Sequence, residues 1–255
     1  MPHVLAFHKL IPSFSYGVTN FSPKRLIKLL STLRSEGWIF ASLFQAHNTA
    51  KINEIALTFD DGYAHLQDIL PTFIEEFGIR PTIFIPTALI GKSNRWDYSF
   101  HFAPTPHLGK EAIMTLSSQG VNFGSHGHTH CDLRTLSNDR LRDELYCSKA
   151  ILEDITGREV QTISYPFGRF DSRVLEFVEE ASFTSGFGMQ FPMSNDTSLS
   201  RGRFPIYSYD TNYTIDCKFG DGLPYHLERA KALVTNKLSG GTILLHRLRG
   251  FKPID

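Results

Sequence analysis

The stretch TFDDGY, residues 58–63, places two adjacent carboxylates directly after the apolar run IAL of residues 55–57. An apolar run that ends in turn-forming residues predicts a buried strand followed by a turn. Asp60, Asp61 and Gly62 could serve only to end the strand, because Asp and Gly favour turn geometry. Alternatively, the two aspartates have different roles in a catalytic site. Adjacent strand residues point to opposite faces, so both aspartates could face one site only if the backbone turns, which Gly62 permits.

Short apolar runs and segments of helical period alternate along the rest of the chain. Strands are predicted at residues 4–7, 55–59, 82–85, 121–124, 162–165, 183–187, 203–207 and 242–245. Helices are predicted at residues 23–35, 66–77, 138–156, 172–180 and 225–238, and a long loop at 92–108. This alternation predicts βα units around a largely parallel sheet or barrel.

Composition excludes several classes of protein. The 255 residues include 26 basic and 26 acidic side chains, so we expect no polyanion-binding surface and no nucleic-acid partner. Three cysteines without CxxC spacing indicate neither a disulfide framework nor a thiolate zinc site. No run approaches the roughly 18–20 apolar residues of a membrane span. The N-terminus does not resemble a secretory signal. We therefore expect a cytoplasmic protein, or an extracytoplasmic one if a leader has been removed.

Three histidines lie close together in GSHGHTH, residues 124–130. In an extended backbone His126, His128 and His130 would share one face, whereas in a helical turn His126 and His130 would meet. Either geometry allows at least two imidazoles to bind one metal ion. Catalytic zinc sites commonly add one carboxylate to two imidazoles, and the Asp60–Asp61 pair could supply it.

Two further predicted strands end in polar or turn-forming residues. They are TISYPFG, residues 162–168, and GTILLH, residues 241–246. In a barrel of parallel strands all the carboxyl ends lie on one face, where such folds build active sites. A lone histidine at a strand end is more often structural, but its coincidence with the other motifs favours a catalytic site.

These residues together resemble the polysaccharide deacetylases, also called carbohydrate esterase family 4 or the NodB homology domain. TFDDGY resembles the first family motif, SHGHTH the second, and TILLH the last. The resemblance implies a distorted (β/α) barrel with seven or eight strands. We expect one such domain over residues 1–255, with the motif-bearing core at about 55–246.

The resemblance also implies roles for individual residues. Asp61, His126 and His130 would bind a divalent metal, most often Zn²⁺ with Co²⁺ or Ni²⁺ as substitutes. Asp60 would be the general base and His246 the general acid, and the backbone N–H of Phe167 would help to hold the oxyanion. The implied substrate is an N-acetylated saccharide, in a polysaccharide, an oligosaccharide or a glycolipid precursor of surface polysaccharide.

The sequence departs from the family pattern at two places. Ser164 stands where the third motif usually has arginine, as in a branch of exopolysaccharide deacetylases whose base is supported by an arginine from elsewhere. Arg203, or else Arg201, is the expected substitute. The Asp-x-x-Asp-Trp motif is missing. The N-terminal VLAFHKL resembles a strand that precedes the catalytic domain in this branch, which would bring His8 towards the site.

Two other functions are compatible with the sequence. One is a catalytically idle sugar-binding barrel, although a pure binder has no need of a metal triad and a base. The other is a related metal amidohydrolase that acts on a non-sugar C–N bond.

Overall fold

The short runs of β-branched and aromatic residues form the strands of a curled parallel sheet. The computed structural model describes residues 2–11, 17–43, 53–93 and 105–248, with side chains described through residue 236. Its strands are His3–Phe7 (β1), Lys9–Leu10 (β2), Asn20–Phe21 (β3), Ile39–Phe40 (β4), Glu54–Phe59 (β5), Thr82–Ile85 (β6), Asn122–Ser125 (β7), Thr162–Ser164 (β8), Ser185–Phe187 (β9) and Phe204–Pro205 (β10). The main sheet has the order β10-β1-β5-β6-β7-β8-β9, with β4 beside β5, and all of its pairs are parallel.

One segment of chain links the two edges of this sheet. The Gly188 N–H donates to the carbonyl of Arg201 at 2.8 Å, and the Arg201 N–H donates to the carbonyl of Gly186 at 2.9 Å. The next residues of the same segment form β10, which pairs with β1. Residues 201–205 therefore curl the sheet towards closure, and the predicted distorted (β/α) barrel with seven or eight strands is confirmed.

Helices connect most of the strands. They are Pro23–Ser35 (α1), Leu66–Phe77 (α2), Lys110–Ser118 (α3), Asn138–Thr156 (α4), Ser172–Glu180 (α5), Asn212–Phe219 (α6) and Gly222–Leu248 (α7). The predicted bounds of α1, α2, α4 and α5 agree with the structure. In α4 the Ser137 side chain accepts a hydrogen bond from the Arg140 N–H, and Gly157 ends the helix with a φ of 63°.

The C-terminal prediction is wrong in the part of the chain that the structure describes. Residues 242–245, predicted as a strand, belong to the long helix α7. A short apolar run such as TILL fits a strand or a buried helix equally well, because periodicity cannot separate the two. The side chain of His246, and residues 94–104 of the predicted loop, lie outside the described residues.

The inward face of the barrel leads from an apolar floor to a polar rim. Along β5, Ala56 packs in an interior cluster with Val4, Phe84 and Phe187, and Thr58 and Asp60 follow at alternate positions on the same face. Since the strands are parallel, the residues that follow β1, β5, β7 and β8 meet at this rim. No helix among the described residues is long and apolar enough to cross a bilayer.

Candidate metal centre and active site

A sharp turn after β5 sends the two adjacent carboxylates in different directions. Asp61 has a φ of 69° and Gly62 a φ of 60°. A Cβ atom on Gly62 would lie 2.2 Å from Ile85 Cδ1 and would be strained at this positive φ, so glycine is favoured there. The two interpretations of this stretch, a turn and a pair of aspartates with different roles, are therefore compatible. The turn itself directs the Asp60 and Asp61 side chains to different partners.

Asp61 lies beside two of the three motif histidines. Its Oδ1 atom is 3.5 Å from His126 Nε2 and 3.2 Å from His130 Nε2. All three ligand atoms lie within 4.8 Å of one another. The Asp61 Oδ1 atom is buried and has no hydrogen-bond partner in the described part of the chain. A buried, unsatisfied carboxylate oxygen that faces two imidazoles fits a divalent cation of the zinc type.

The tautomer of His126 is suited to metal binding. Its Nδ1 lies 2.7 Å from the carbonyl oxygen of Ser164, which can only accept a hydrogen bond. Nδ1 therefore carries the proton, and the Nε2 lone pair is directed towards Asp61. An imidazole held in this way by a backbone carbonyl is the usual arrangement at a metal site.

Electrostatics at the triad favours a positive charge. Burial alone would raise the pKa of the Asp61 carboxyl, but the two adjacent imidazoles hold this pKa well below its usual range. Burial alone would lower the pKa of His126, but contact with Asp61 and the charge of Asp60 raise it. The carboxylates of Asp60 and Asp61 thus attract either a proton or a metal cation to Nε2 of His126.

Asp60 forms a buried ion pair with Arg203. The Arg203 guanidinium donates to Asp60 Oδ1 at 2.8 Å and to Asp60 Oδ2 at 2.7 Å, and both side chains are almost completely buried. Burial would raise the pKa of Asp60, but the positive charge of Arg203 lowers it to about 2. Asp60 therefore stays ionised at neutral pH. Arg201 lines a separate cavity with Asp196 and Phe187, so the structure brings Arg203 to Asp60.

Ser164 accounts for the missing arginine of the third motif. Its hydroxyl accepts a hydrogen bond from Arg203 Nη2 at 2.7 Å and donates one to Asp60 Oδ2 at 3.2 Å. A small side chain at this position leaves space for the Arg203 guanidinium, which enters from the residue just before β10. The Arg203 Nε–H also donates to the carbonyl of Gly188 at 3.0 Å, and this hydrogen bond fixes the orientation of the guanidinium group.

His8 lies at the same rim, next to Asp60. In the β1–β5 register Phe7 is paired with Phe59, and the Asp60 N–H donates to the carbonyl of Phe7 at 2.9 Å. The Nδ1 atom of His8 is buried without a hydrogen-bond partner among the described residues. Burial lowers the pKa of His8, while the charges of Asp60 and Asp61 act in the opposite direction. His8 therefore has a ring nitrogen, next to Asp60 and Asp61, that could exchange a proton with a substrate.

Strained backbone conformations are concentrated at this rim. Among the described residues, four non-glycine residues have a positive φ, and Asp61, His130 and Phe167 are three of them. The Phe167 ring packs against the His130 ring, with a centroid separation of 4.8 Å. Such conformations persist only where the surrounding structure enforces them, and they are typical of functional sites.

The loop between the two ligand candidates is held by residues outside the motifs. The His128 Nδ1 atom and the Thr87 hydroxyl share a hydrogen bond at 2.8 Å, and His128 is not part of the triad of ligand candidates. The buried Glu144 carboxylate of α4 accepts hydrogen bonds from the N–H groups of His128 and Thr129 at 2.6 and 2.9 Å. Glu144 was not among the predicted site residues, although an acidic residue beside Leu141 and Leu145 on the buried face of α4 was a usable signal.

Sequence comparison identifies one matching protein family. The model of the family described as polysaccharide deacetylase matches residues 47–186. YxkH of Bacillus subtilis, named as a candidate polysaccharide deacetylase, is 29% identical over 133 residues, which are 52% of this chain and 43% of YxkH. The matches span less than half the length of the curated relatives.

Solved structures with low sequence identity share the fold. The Streptococcus pyogenes deacetylase PplD, solved in complex with acetate, has a TM-score of 0.74 at 18% identity, and the alignment covers 86% of this chain and 98% of PplD. A de-N-acetylase from Aggregatibacter actinomycetemcomitans has a TM-score of 0.69 at 17% identity, with 86% and 99% covered. At these identities the likeness concerns the architecture of the barrel.

Proposed function

The chain belongs to the polysaccharide deacetylase family, and from this premise we propose that it is a metal-dependent hydrolase that removes N-acetyl groups from amino sugars. The substrate would be an N-acetylated poly- or oligosaccharide or a glycolipid precursor, in surface polysaccharide or lipopolysaccharide synthesis. The deacetylase and de-N-acetylase named among the structural relatives support this reaction class.

One observation carries the proposal. Two adjacent aspartates at one turn have opposite environments, since Asp60 is neutralised by Arg203 whereas Asp61 faces two imidazoles with an unsatisfied Oδ1. A turn that served only to end the strand would have no use for this difference. A base and a metal ligand side by side require it, because the first must be ionised and oriented and the second must be open to a cation.

The residues of the chain divide the work of amide hydrolysis. When bound by Asp61, His126 and His130, a divalent metal, expected to be Zn²⁺ with Co²⁺ or Ni²⁺ as substitutes, would lower the pKa of a water molecule and polarise the acyl carbonyl. Asp60 accepts a proton from the attacking water while Arg203 and Ser164 hold the carboxylate in position.

Two groups complete the reaction on the acyl and amine sides. The backbone N–H of Phe167, beside His130, is the proposed donor to the oxyanion. The departing amine needs a proton, and His246 is the donor that the family resemblance implies. The position of His8 beside Asp60, with a buried Nδ1 that has no hydrogen-bond partner among the described residues, supports it as the alternative donor.

The first experiment combines metal analysis with a panel of substrates. The purified protein should contain a divalent metal and release acetate from N-acetylated saccharides but not from an acetylated aryl amine. Asp60→Asn should keep the metal and lose acetate release, whereas Asp61→Asn should lose both. Wild-type activity in Asp60→Asn would refute the role of the base. Activity on the aryl amine alone would favour the non-sugar amidohydrolase, and absence of metal and of hydrolysis would favour the sugar-binding barrel.

A further inference from the structure

A short segment outside every catalytic motif lies against the turn that carries Asp61. The Ala64 N–H donates to the carbonyl of Pro106 at 2.9 Å, and the Leu108 N–H donates to the carbonyl of Gly62 at 2.9 Å. Between these two bonds, Tyr63 and His107 form an isolated antiparallel bridge. Residues 106–108 are therefore fixed alongside residues 62–64, with His107 next to the Asp61–Gly62 turn.

The His107 side chain contacts the main chain of Asp61 directly. Its Nδ1 atom lies 2.7 Å from the Asp61 carbonyl oxygen, which can only accept, so Nδ1 is the donor. His107 is 4% exposed, and its ring packs against the Tyr63 ring with a centroid separation of 5.1 Å. The imidazole is held from one side by an aromatic ring and contributes a buried hydrogen bond to the turn.

That hydrogen bond acts where the backbone needs support. Asp61 has a φ of 69°, a left-handed conformation that costs more for a residue with a Cβ atom than for glycine, although aspartate and asparagine tolerate it better than other residues. In this conformation the Asp61 carboxylate faces His126 and His130, although its neighbour Asp60 faces Arg203. A relaxed backbone at Asp61 would turn the carboxylate away from the two imidazoles.

We infer that His107 is a positioning residue of the metal centre: its Nδ1–H holds the Asp61 main chain in the left-handed conformation that directs Oδ1 at His126 and His130. The inference rests on the metal-dependent function proposed above. Groups that orient a metal ligand without touching the metal typically contribute 10- to 100-fold to metal affinity. His107 does so through the backbone of the ligand residue, not through its carboxylate.

Three substitutions separate the hydrogen bond from the bulk of the side chain. His107→Asn keeps an N–H donor at the position of Nδ1, because the Asn amide nitrogen is also two bonds from Cβ. His107→Gln moves its amide nitrogen one bond further out. His107→Phe keeps a ring to pack against Tyr63 but has no donor. Zinc affinity is measured by competition with a chromogenic chelator, and the visible spectrum of the Co²⁺-loaded protein reports the ligand geometry.

We expect His107→Phe and His107→Gln to bind zinc about 10- to 100-fold more weakly than the wild type, with an altered Co²⁺ spectrum. His107→Asn should stay within a few-fold of the wild type in affinity and spectrum. A role limited to packing would predict that Phe performs best of the three. If His107→Phe does not fold, as judged by circular dichroism, the comparison of Asn with Gln still decides.

Two results would overturn the inference: wild-type affinity and spectrum in His107→Phe and His107→Gln, or equal losses in His107→Asn and His107→Gln. Both leave the proposed function intact, because the wild-type protein binds metal in either case. A wild-type protein that binds neither zinc nor cobalt would instead refute the proposed metal dependence, which lies upstream of His107.

Discussion

Replacing Arg203 with methionine removes the cation that neutralises Asp60 inside the barrel. The guanidinium is fully buried and makes two short hydrogen bonds to the carboxylate, with others to Ser164 and Gly188. Methionine is unbranched and fills much of the same space, so the main change is the loss of charge and donors. Asp60, which is 1% exposed, would be left as a buried carboxylate without its partner.

The magnitude follows from the ion pair. The pKa of Asp60 is lowered from 3.8 to about 2, and a difference of about 2 pKa units corresponds to about 2–3 kcal/mol of stability from this ionisation at neutral pH. Removing one partner of a buried pair typically costs about 3–5 kcal/mol, because the other charge stays buried. We therefore expect Arg203→Met to lower the free energy of unfolding by about 3–5 kcal/mol.

The pH dependence has a definite sign. In the wild type the contribution of Asp60 is fully present above the unfolded-state pKa of 3.8 and is lost as the pH falls through about 2. In Arg203→Met, burial raises the pKa of Asp60 above its usual value. The variant's deficit relative to the wild type should consequently be largest at neutral pH and shrink in mild acid, where Asp60 becomes protonated in the variant.

Urea unfolding followed by circular dichroism measures this difference, at matched metal content and at neutral and mildly acidic pH. Arg201→Met is the matched control, because it removes an arginine from the same segment that lines a different cavity. The control should lose about 1 kcal/mol or less and keep acetate release, whereas Arg203→Met should lose most of it. Equal destabilisation of the two variants, or a deficit of Arg203→Met that does not shrink in acid, would show that Arg203 does not neutralise Asp60.

Three further predictions concern the rim and the floor of the barrel. If His8 protonates the amine, His8→Ala should lower kcat about 10²-fold or more without loss of metal. The same measurement on His246→Ala shows which of the two histidines protonates the amine. Near-normal rates in both variants would contradict both assignments. Gly124→Ala should destabilise the fold by about 1–3 kcal/mol in thermal unfolding, because the added Cβ would lie 2.5 Å from a ring atom of Phe84; an unchanged Tm would show that the floor can relax. Zinc affinity in competition titrations should fall as the pH falls through the raised pKa of His126, since protons compete for Nε2; a pH-independent affinity would exclude His126 as a ligand.

Sequence was a good guide wherever local chemistry and periodicity agree. The bounds of α4 were predictable because Ser137 caps it and Gly157 ends it. Two helices were missed: α3 is as long as α5 but has a weaker apolar period, and α6 buries only Ile215 and Lys218. The turn after β5 and the proximity of its aspartates to the histidine cluster followed from the rule that parallel strands end on one face.

The contacts that orient the site residues were beyond the sequence. By sequence alone, either Arg201 or Arg203 could support Asp60. In the folded chain the Arg203 side chain reaches Asp60, whereas Arg201 lines a separate cavity. His107 acts on the backbone carbonyl of Asp61, and a backbone acceptor leaves no complementary side chain that a sequence could reveal. Long-range side-chain to main-chain bonds of this kind depend on the completed fold.

The proposed function requires that hydrolysis depend on a metal held by Asp61, His126 and His130. The most direct test is acetate release from N-acetylglucosamine oligomers by protein that has been stripped with a chelator and then titrated with zinc. We expect no release from the stripped protein and full recovery at one zinc ion per chain, with no recovery in Asp61→Asn. Full acetate release by the stripped protein, with its metal content verified as negligible, would contradict the proposed metal dependence.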